Sequence, residues 1–117
     1  MSKVRRVCAE PGCKRLLPEK ESSGYVTMSV EEFEAVRLCD WEGLDQDAGA
    51  QRMNVSRGTF QRILYNARKT TAEALVSGKG IIINGGNYEI ATYGCGCKEA
   101  CRHCRFENNK QGDANNE

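Results

Sequence analysis

Apolar side chains recur at helical spacing along three stretches of this 117-residue chain and at strand spacing in shorter ones. The longest helical pattern begins after Ser56. Phe60, Ile63, Leu64 and Ala67 fall on one face, and Ala72, Leu75 and Val76 continue the pattern until Gly78 and Gly80 stop it. Ser56 can accept hydrogen bonds from the open N–H groups of that helix, and Asp45 can do the same for a shorter helix before it. Leu44 to Glu73 therefore reads as helix, tight turn at Asn54-Val55, and second helix. Ala48 and Gly49 carry almost no side chain, which allows a neighbouring helix to approach closely, while Met53 and Val55 join the shared core. Upstream, Ser29-Val30-Glu31-Glu32 has the form of a capping box, with Ser29 as cap and Glu32 reaching back. The helix it opens carries Phe33 and Val36 on one side and Ala35, Leu38 and Cys39 on another, and Gly43 closes it. Cys39 and Trp41 read as core residues.

Tyr25-Val26-Thr27-Met28 suits an extended strand. Ile81 to Ile90 has the signature of a β-hairpin, two β-favouring runs around Asn84-Gly85-Gly86-Asn87, whose glycines tolerate positive φ. Two strands alone are marginal, so the hairpin is expected to pack on the helices or to gain a strand from Tyr25–Met28 or from a second chain, which makes a homodimer a reasonable expectation. The predicted class is mainly α: a three-helix helix-turn-helix with a small β-hairpin and a cysteine-rich C-terminal segment. The chain divides into four regions: a basic, loop-like, cysteine-containing arm (1–24), the helix-turn-helix domain with its hairpin (25–93), the cysteine-rich segment (94–106) and a polar tail expected to be disordered (107–117).

The formal net charge is only +1, yet the charge is polarised. Glu31 to Asp47 holds seven acidic residues against Arg37 alone, whereas Arg52 to Lys69 holds five basic residues and no acidic one. With the apolar face turned inward, Arg57, Gly58, Thr59, Gln61, Arg62, Tyr65, Asn66, Arg68 and Lys69 are left outside. Arg, Gln, Asn and Thr are the side chains that pair with base edges and phosphates in a major groove. A local basic footprint of this kind suits double-stranded DNA even in a near-neutral chain. The expected DNA-contacting set is Ser56, Arg57, Gly58, Thr59, Gln61, Arg62, Tyr65, Arg68 and Lys69. The competing reading is a helical packing unit whose basic face is solvated or meets another protein.

The run Val55-Ser56-Arg57-Gly58-Thr59-Phe60, with Arg62 and Ala67-Arg68, resembles the recognition helix of sigma-factor region 4 and related helix-turn-helix regulators. The wider span from Met28-Ser29-Val30-Glu31-Glu32-Phe33 through Ala74-Leu75-Val76-Ser77-Gly78-Lys79 is similar to a small uncharacterised prokaryotic family of predicted DNA-binding proteins. The resemblance covers about residues 25–90. It implies a DNA-binding helix-turn-helix fold and carries no target sequence with it.

Seven cysteines change the picture at the two ends. Cys95-Gly96-Cys97-Lys98-Glu99-Ala100-Cys101-Arg102-His103-Cys104 gathers four thiols and the chain's single histidine. Four thiolates satisfy tetrahedral zinc or an iron–sulfur cluster with little help from a fold. Lys98, Arg102 and Arg105 would offset their charge, and Gly94 and Gly96 would let the backbone wrap closely. His103 can replace one cysteine as ligand or donate to a thiolate from outside the ligand set. Cys8 and Cys13, on either side of the turn Glu10-Pro11-Gly12, can complete or double the site. A reactive dithiol and a disulfide formed on oxidation are the alternatives, although such spacing in a reducing compartment favours metal. The chain has no apolar run near the ~20 residues of a membrane span and no apolar stretch behind its basic N-terminus, so a cytoplasmic protein without a membrane partner is expected. No Ser/His/Asp set and no phosphate-cradling glycine loop is visible, no small-molecule substrate suggests itself, and catalysis is not expected. The combined expectation is a sequence-specific DNA-binding protein, a transcriptional regulator with a zinc or iron–sulfur site. One alternative is a metal- or redox-responsive sensor in which site occupancy alters DNA affinity; the other is a metal- or redox-handling adaptor that uses its helices for protein contacts.

Overall fold

Three side-chain caps set the helix starts. In the computed structural model, which describes residues 4–20 and 23–90, the Ser29 hydroxyl accepts from the Glu32 N–H at 3.1 Å, and the Glu32 carboxylate accepts from the Ser29 N–H at 3.0 Å. The predicted capping box is thus formed, and it opens α1, Val30–Val36. Asp45 accepts from the Ala48 N–H at 2.8 Å and opens α2, Gln46–Met53. Ser56 accepts from the Thr59 N–H at 3.2 Å and opens α3, Arg57–Ser77. Asn54 ends α2 with φ 58°, and Gly78 ends α3 with φ 68°. About half of the described residues are helical.

The three helices enclose Ala35, Leu38, Ala50, Met53, Phe60, Ile63 and Leu64, with Val36, Cys39, Leu44 and Val55 packed at the margin. The close approach expected at Gly49 is real: a Cβ there would lie 2.5 Å from Cζ of Phe60. Between Arg37 and Trp41 the helix continuing from α1 widens to a π turn, with the Glu42 N–H donating to the Arg37 carbonyl at 2.9 Å. The extra residue in that turn rotates the residues after it out of phase with Leu38. Trp41, expected in the core, is 63% exposed. α3 runs on through Ala72, Leu75 and Val76 to a stop at Gly78, as its pattern predicts. Ala74 is buried, whereas Ala72 is exposed and Leu75 and Val76 are 78% and 87% exposed.

Five short strands complete the fold: β1 Arg5–Val7, β2 Arg15–Leu16, β3 Tyr25–Met28, β4 Gly80–Ile83 and β5 Tyr88–Ile90. β4 lies between the other two strands of a three-stranded sheet, antiparallel to β2 and parallel to β3, with Val26 opposite Ile81 and Met28 opposite Ile83. β5 does not return along β4. It pairs in parallel with β1, Arg5 opposite Tyr88 and Val7 opposite Ile90. The expected hairpin is therefore not formed, and only its first strand shares a sheet with Tyr25–Met28.

The reason lies in the intervening loop. Gly85 and Gly86 do take positive φ, 79° and 110°, but the loop serves the start of α1. The Val30 N–H donates to the Gly85 carbonyl at 3.0 Å, and the Asn87 N–H donates to the Glu31 carboxylate at 2.6 Å. Free N–H groups at a helix start need acceptors, and supplying one turns the chain away from β4. Residues 5–16, read as a loop-like arm, thereby contribute two strands, and Val7 joins Met28, Val30 and Ile83 in a second apolar cluster.

Candidate nucleic-acid interface

The turn between α2 and α3 is short because Asn54 reverses the chain in the left-handed conformation and Ser56 starts the next helix two residues later. With Gly49 admitting the Phe60 ring, α2 braces α3, and the opposite face of α3 looks outward. Arg57, Gly58, Gln61, Arg62, Tyr65, Asn66, Arg68 and Lys69 are all exposed there, and Thr59 is half-buried. Gly58, Gln61, Arg62, Tyr65 and Asn66 line one shallow concavity, with Tyr65 66% exposed. Ser56 is occupied as the cap, and its hydroxyl donates to Thr59 Oγ1 at 3.0 Å. Arg62 in turn donates to the same Oγ1 at 3.4 Å.

The cations of this face fall into two groups. Arg57 meets Asp47 of α2 at 3.4 Å, and Arg68 grips Asp40 of the π turn with two bonds, 2.8 and 3.2 Å. The Asp40 hydrogen bond pushes the Arg68 guanidinium further up from its ordinary range. Among the described residues, no carboxylate lies within ion-pair distance of Arg62 or Lys69. Arg52, which counted toward the basic run, is buried inside the fold, and its carbonyl accepts from Arg6 Nε at 2.9 Å. Arg6 also reaches the Gln51 carbonyl at 3.1 Å, so this arm cation caps the end of α2. Arg5 lies 3.4 Å from Glu31.

A buried charged cluster behind the interface has no clear sequence signal. Arg37 donates to Glu34 at 2.9 and 3.0 Å, to Glu42 at 3.3 Å and to the Cys8 sulfur at 3.0 Å, while the Cys8 N–H donates to Glu34 at 3.1 Å. Glu34 and Glu42 belong to the acidic run counted above only for its charge. Their spacing around Arg37, i−3 and i+5, is the one hint available, and only a π turn brings the second within reach.

Of the expected metal ligands, Cys95, Cys97, Cys101, His103 and Cys104 lie outside the described residues. Cys8 is buried against Arg37, and Cys13 is exposed, its thiol donating to the Arg15 carbonyl at 3.1 Å. Among the described residues no three His, Cys, Asp or Glu side chains are grouped to hold a metal ion. Nor is any helix there long and apolar enough to cross a membrane.

A family profile described as Protein of unknown function DUF134 matches residues 1–91. Relatives carry the name UPF0251 protein. The one from Ruminiclostridium cellulolyticum is 46% identical over 91% of this chain and 84% of its own length. The one from Caldicellulosiruptor saccharolyticus is 50% identical over 87% and 70%. A third, from Desulfitobacterium hafniense, is 43% identical over 85% and 82%. No solved structure matches the chain.

Proposed function

We propose that this chain, which belongs to the family described as Protein of unknown function DUF134, is a sequence-specific DNA-binding protein that enters the major groove with the outward face of α3. One observation carries the reading: a braced, 21-residue helix turns Gly58, Gln61, Arg62, Tyr65, Asn66 and Lys69 to solvent together. Gln and Arg side chains read base edges bidentately, a lysine meets phosphate, and a glycine at the helix start admits the DNA backbone closely. In this scheme α2 and α3 form a helix-turn-helix resembling sigma region 4, and transcriptional regulation is its use.

Binding to duplex DNA, measured by fluorescence anisotropy at low salt, tests it. Arg62→Ala should cost about 1–3 kcal/mol on a preferred sequence, whereas Lys69→Ala should weaken all sequences alike and flatten the salt dependence by about one ion. Undiminished affinity in the Arg62→Ala/Lys69→Ala double variant refutes the reading.

Exposed Leu75 and Val76 favour a second reading, in which this end of α3 meets a protein, either a second copy or an adaptor partner. It predicts a partner contact indifferent to Arg62 and Lys69. For the segment outside the described residues, one zinc or iron–sulfur centre on Cys95, Cys97, Cys101 and Cys104 remains part of the proposal. Protein purified without oxygen and found free of transition metal refutes that part.

A further inference from the structure

The two aspartates beside α3 do more than decorate a surface. Arg57 and Arg68 lie about three turns apart on the same edge of the helix. Each is met by an acid from another element, Asp47 of α2 and Asp40 of the π turn. Among the described residues, no acid meets Arg62 or Lys69, which lie closer to the centre of the outward face, in this way. Resting on the DNA-binding reading, we propose that Asp40 and Asp47 hold down the sequence-independent affinity of the interface by withholding Arg68 and Arg57 from phosphate.

The acids subtract the sequence-independent part of binding. A cation released onto the DNA backbone strengthens binding to every sequence alike, through counterion release of roughly 0.9 ion per phosphate neutralised. A cation held by a carboxylate gives up that gain, and the carboxylate itself repels the backbone. Gln61 and Arg62 keep their access to base edges. Affinity and its salt dependence therefore fall for preferred and arbitrary sequences alike while base readout is untouched, so the acids hold the interface to weaker, more readily reversed binding. Both pairs are largely solvent-exposed, with side chains between 43% and 68% accessible, so the fold does not depend on them.

The test uses the full chain and a short duplex of mixed sequence, with anisotropy titrations across roughly 50–200 mM salt. Asp40→Asn should bind this duplex more tightly, with the slope of log affinity against log salt steeper by about 0.9, or roughly threefold more affinity lost across that salt range. Asp47→Asn should act in the same direction. Arg68→Gln alone should keep the native salt slope, with only the small loss of affinity that an uncompensated Asp40 brings, and Arg68→Gln added to Asp40→Asn should abolish the gain. Three results overturn the inference while leaving DNA binding intact: native slopes in both aspartate variants, a fall in salt slope in Arg68→Gln matching that in Lys69→Gln, or a gain that survives in the Asp40→Asn/Arg68→Gln pair. Failure of the native chain and all variants to bind the duplex overturns the interface reading itself, and this inference with it.

Discussion

Replacing Gly49 by alanine isolates the contact that fixes α3 against α2. On intrinsic propensity alone the change should help, since alanine is favoured over glycine inside a helix by about 1 kcal/mol. The surroundings reverse the sign. The new methyl carbon would stand 2.5 Å from Cζ of Phe60, 2.9 Å from Cε1 and 3.0 Å from Cε2. Phe60 has no exposure, so its ring has no solvent to retreat into. Forcing extra atoms into a packed core costs about 1–3 kcal/mol. With the ring hemmed in, the upper part of that range applies, for a net loss of about 1–2 kcal/mol. Gly58→Ala is the internal control. It sits in the first turn of α3 on the open face, where a methyl group would meet only Arg62 Nη1 at 3.9 Å. It should be neutral or stabilise by up to about 1 kcal/mol. Urea denaturation followed by far-ultraviolet circular dichroism reads both as shifts in midpoint at constant slope. Phe60→Leu deletes the three clashing carbons, so Gly49→Ala should cost markedly less in that background, a coupling that a double-mutant cycle detects. A Gly49→Ala midpoint at or above the native one refutes the packing argument.

Arg37→Met takes away the cation between Glu34 and Glu42, which are 2% and 0% exposed in their side chains, and should cost about 3–5 kcal/mol in the same denaturation assay; a loss below about 1 kcal/mol would contradict it. Asp45→Ala and Ser56→Ala each remove a helix cap and should cost about 1 kcal/mol apiece, nearly additively, which melting of the double variant checks. The Tyr88 phenol donates to the Glu10 carboxylate at 2.8 and 3.0 Å, and this bond pushes its pKa up from the ordinary 10.0. A pKa raised in the fold means that the associated stability is present below pH 10.0 and lost as pH rises through the shifted value; ultraviolet titration should show Glu10→Gln restoring a lower phenol pKa. Burial first, then the neighbouring Asp40 charge, push the Cys39 thiol up from 9.0, so peptide mapping after brief alkylation at mildly alkaline pH should find Cys39 less modified than exposed Cys13.

Signals confined to one turn of chain are readable from the sequence. Ser29 with Glu32, Asp45 and Ser56 cap the helices that their spacing predicts, and Phe60, Ile63, Leu64 and Ala67 form the buried face of α3. These features depend on neighbours three or four residues away, which the sequence states directly. Partner choice between strands does not. Ile81–Ile83 is recognisable as a strand, but its pairing with β3 and β2, and that of β5 with β1, depends on segments more than fifty residues distant. The glycines that suggest a hairpin are recruited instead to the start of α1. Trp41 departs from its expected place in the core because the π turn changes the helical period in a way no single residue announces. The outward positions of α3 are legible as surface, yet their electrostatics are only half visible: the run of acids that looks like a separate negative pole folds back to hold Arg57 and Arg68.

The register of β1 against β5 bears on the order in which the molecule can assemble during synthesis. β1 leaves the ribosome before any of the helices, and its partner leaves only after all three helices have emerged. The helices close over local contacts, which form early and at small loop-closure cost, whereas pairing Arg5 with Tyr88 joins nearly the two extremes of the described chain. Until Ile90 is out, β1 has no strand partner. Val7, 1% exposed in the finished fold, then has only part of its cover. A nascent chain halted before Tyr88 would thus hold a formed core around Phe60 and an open seam beside it, a species marked for proteolysis around β1 rather than at its helices.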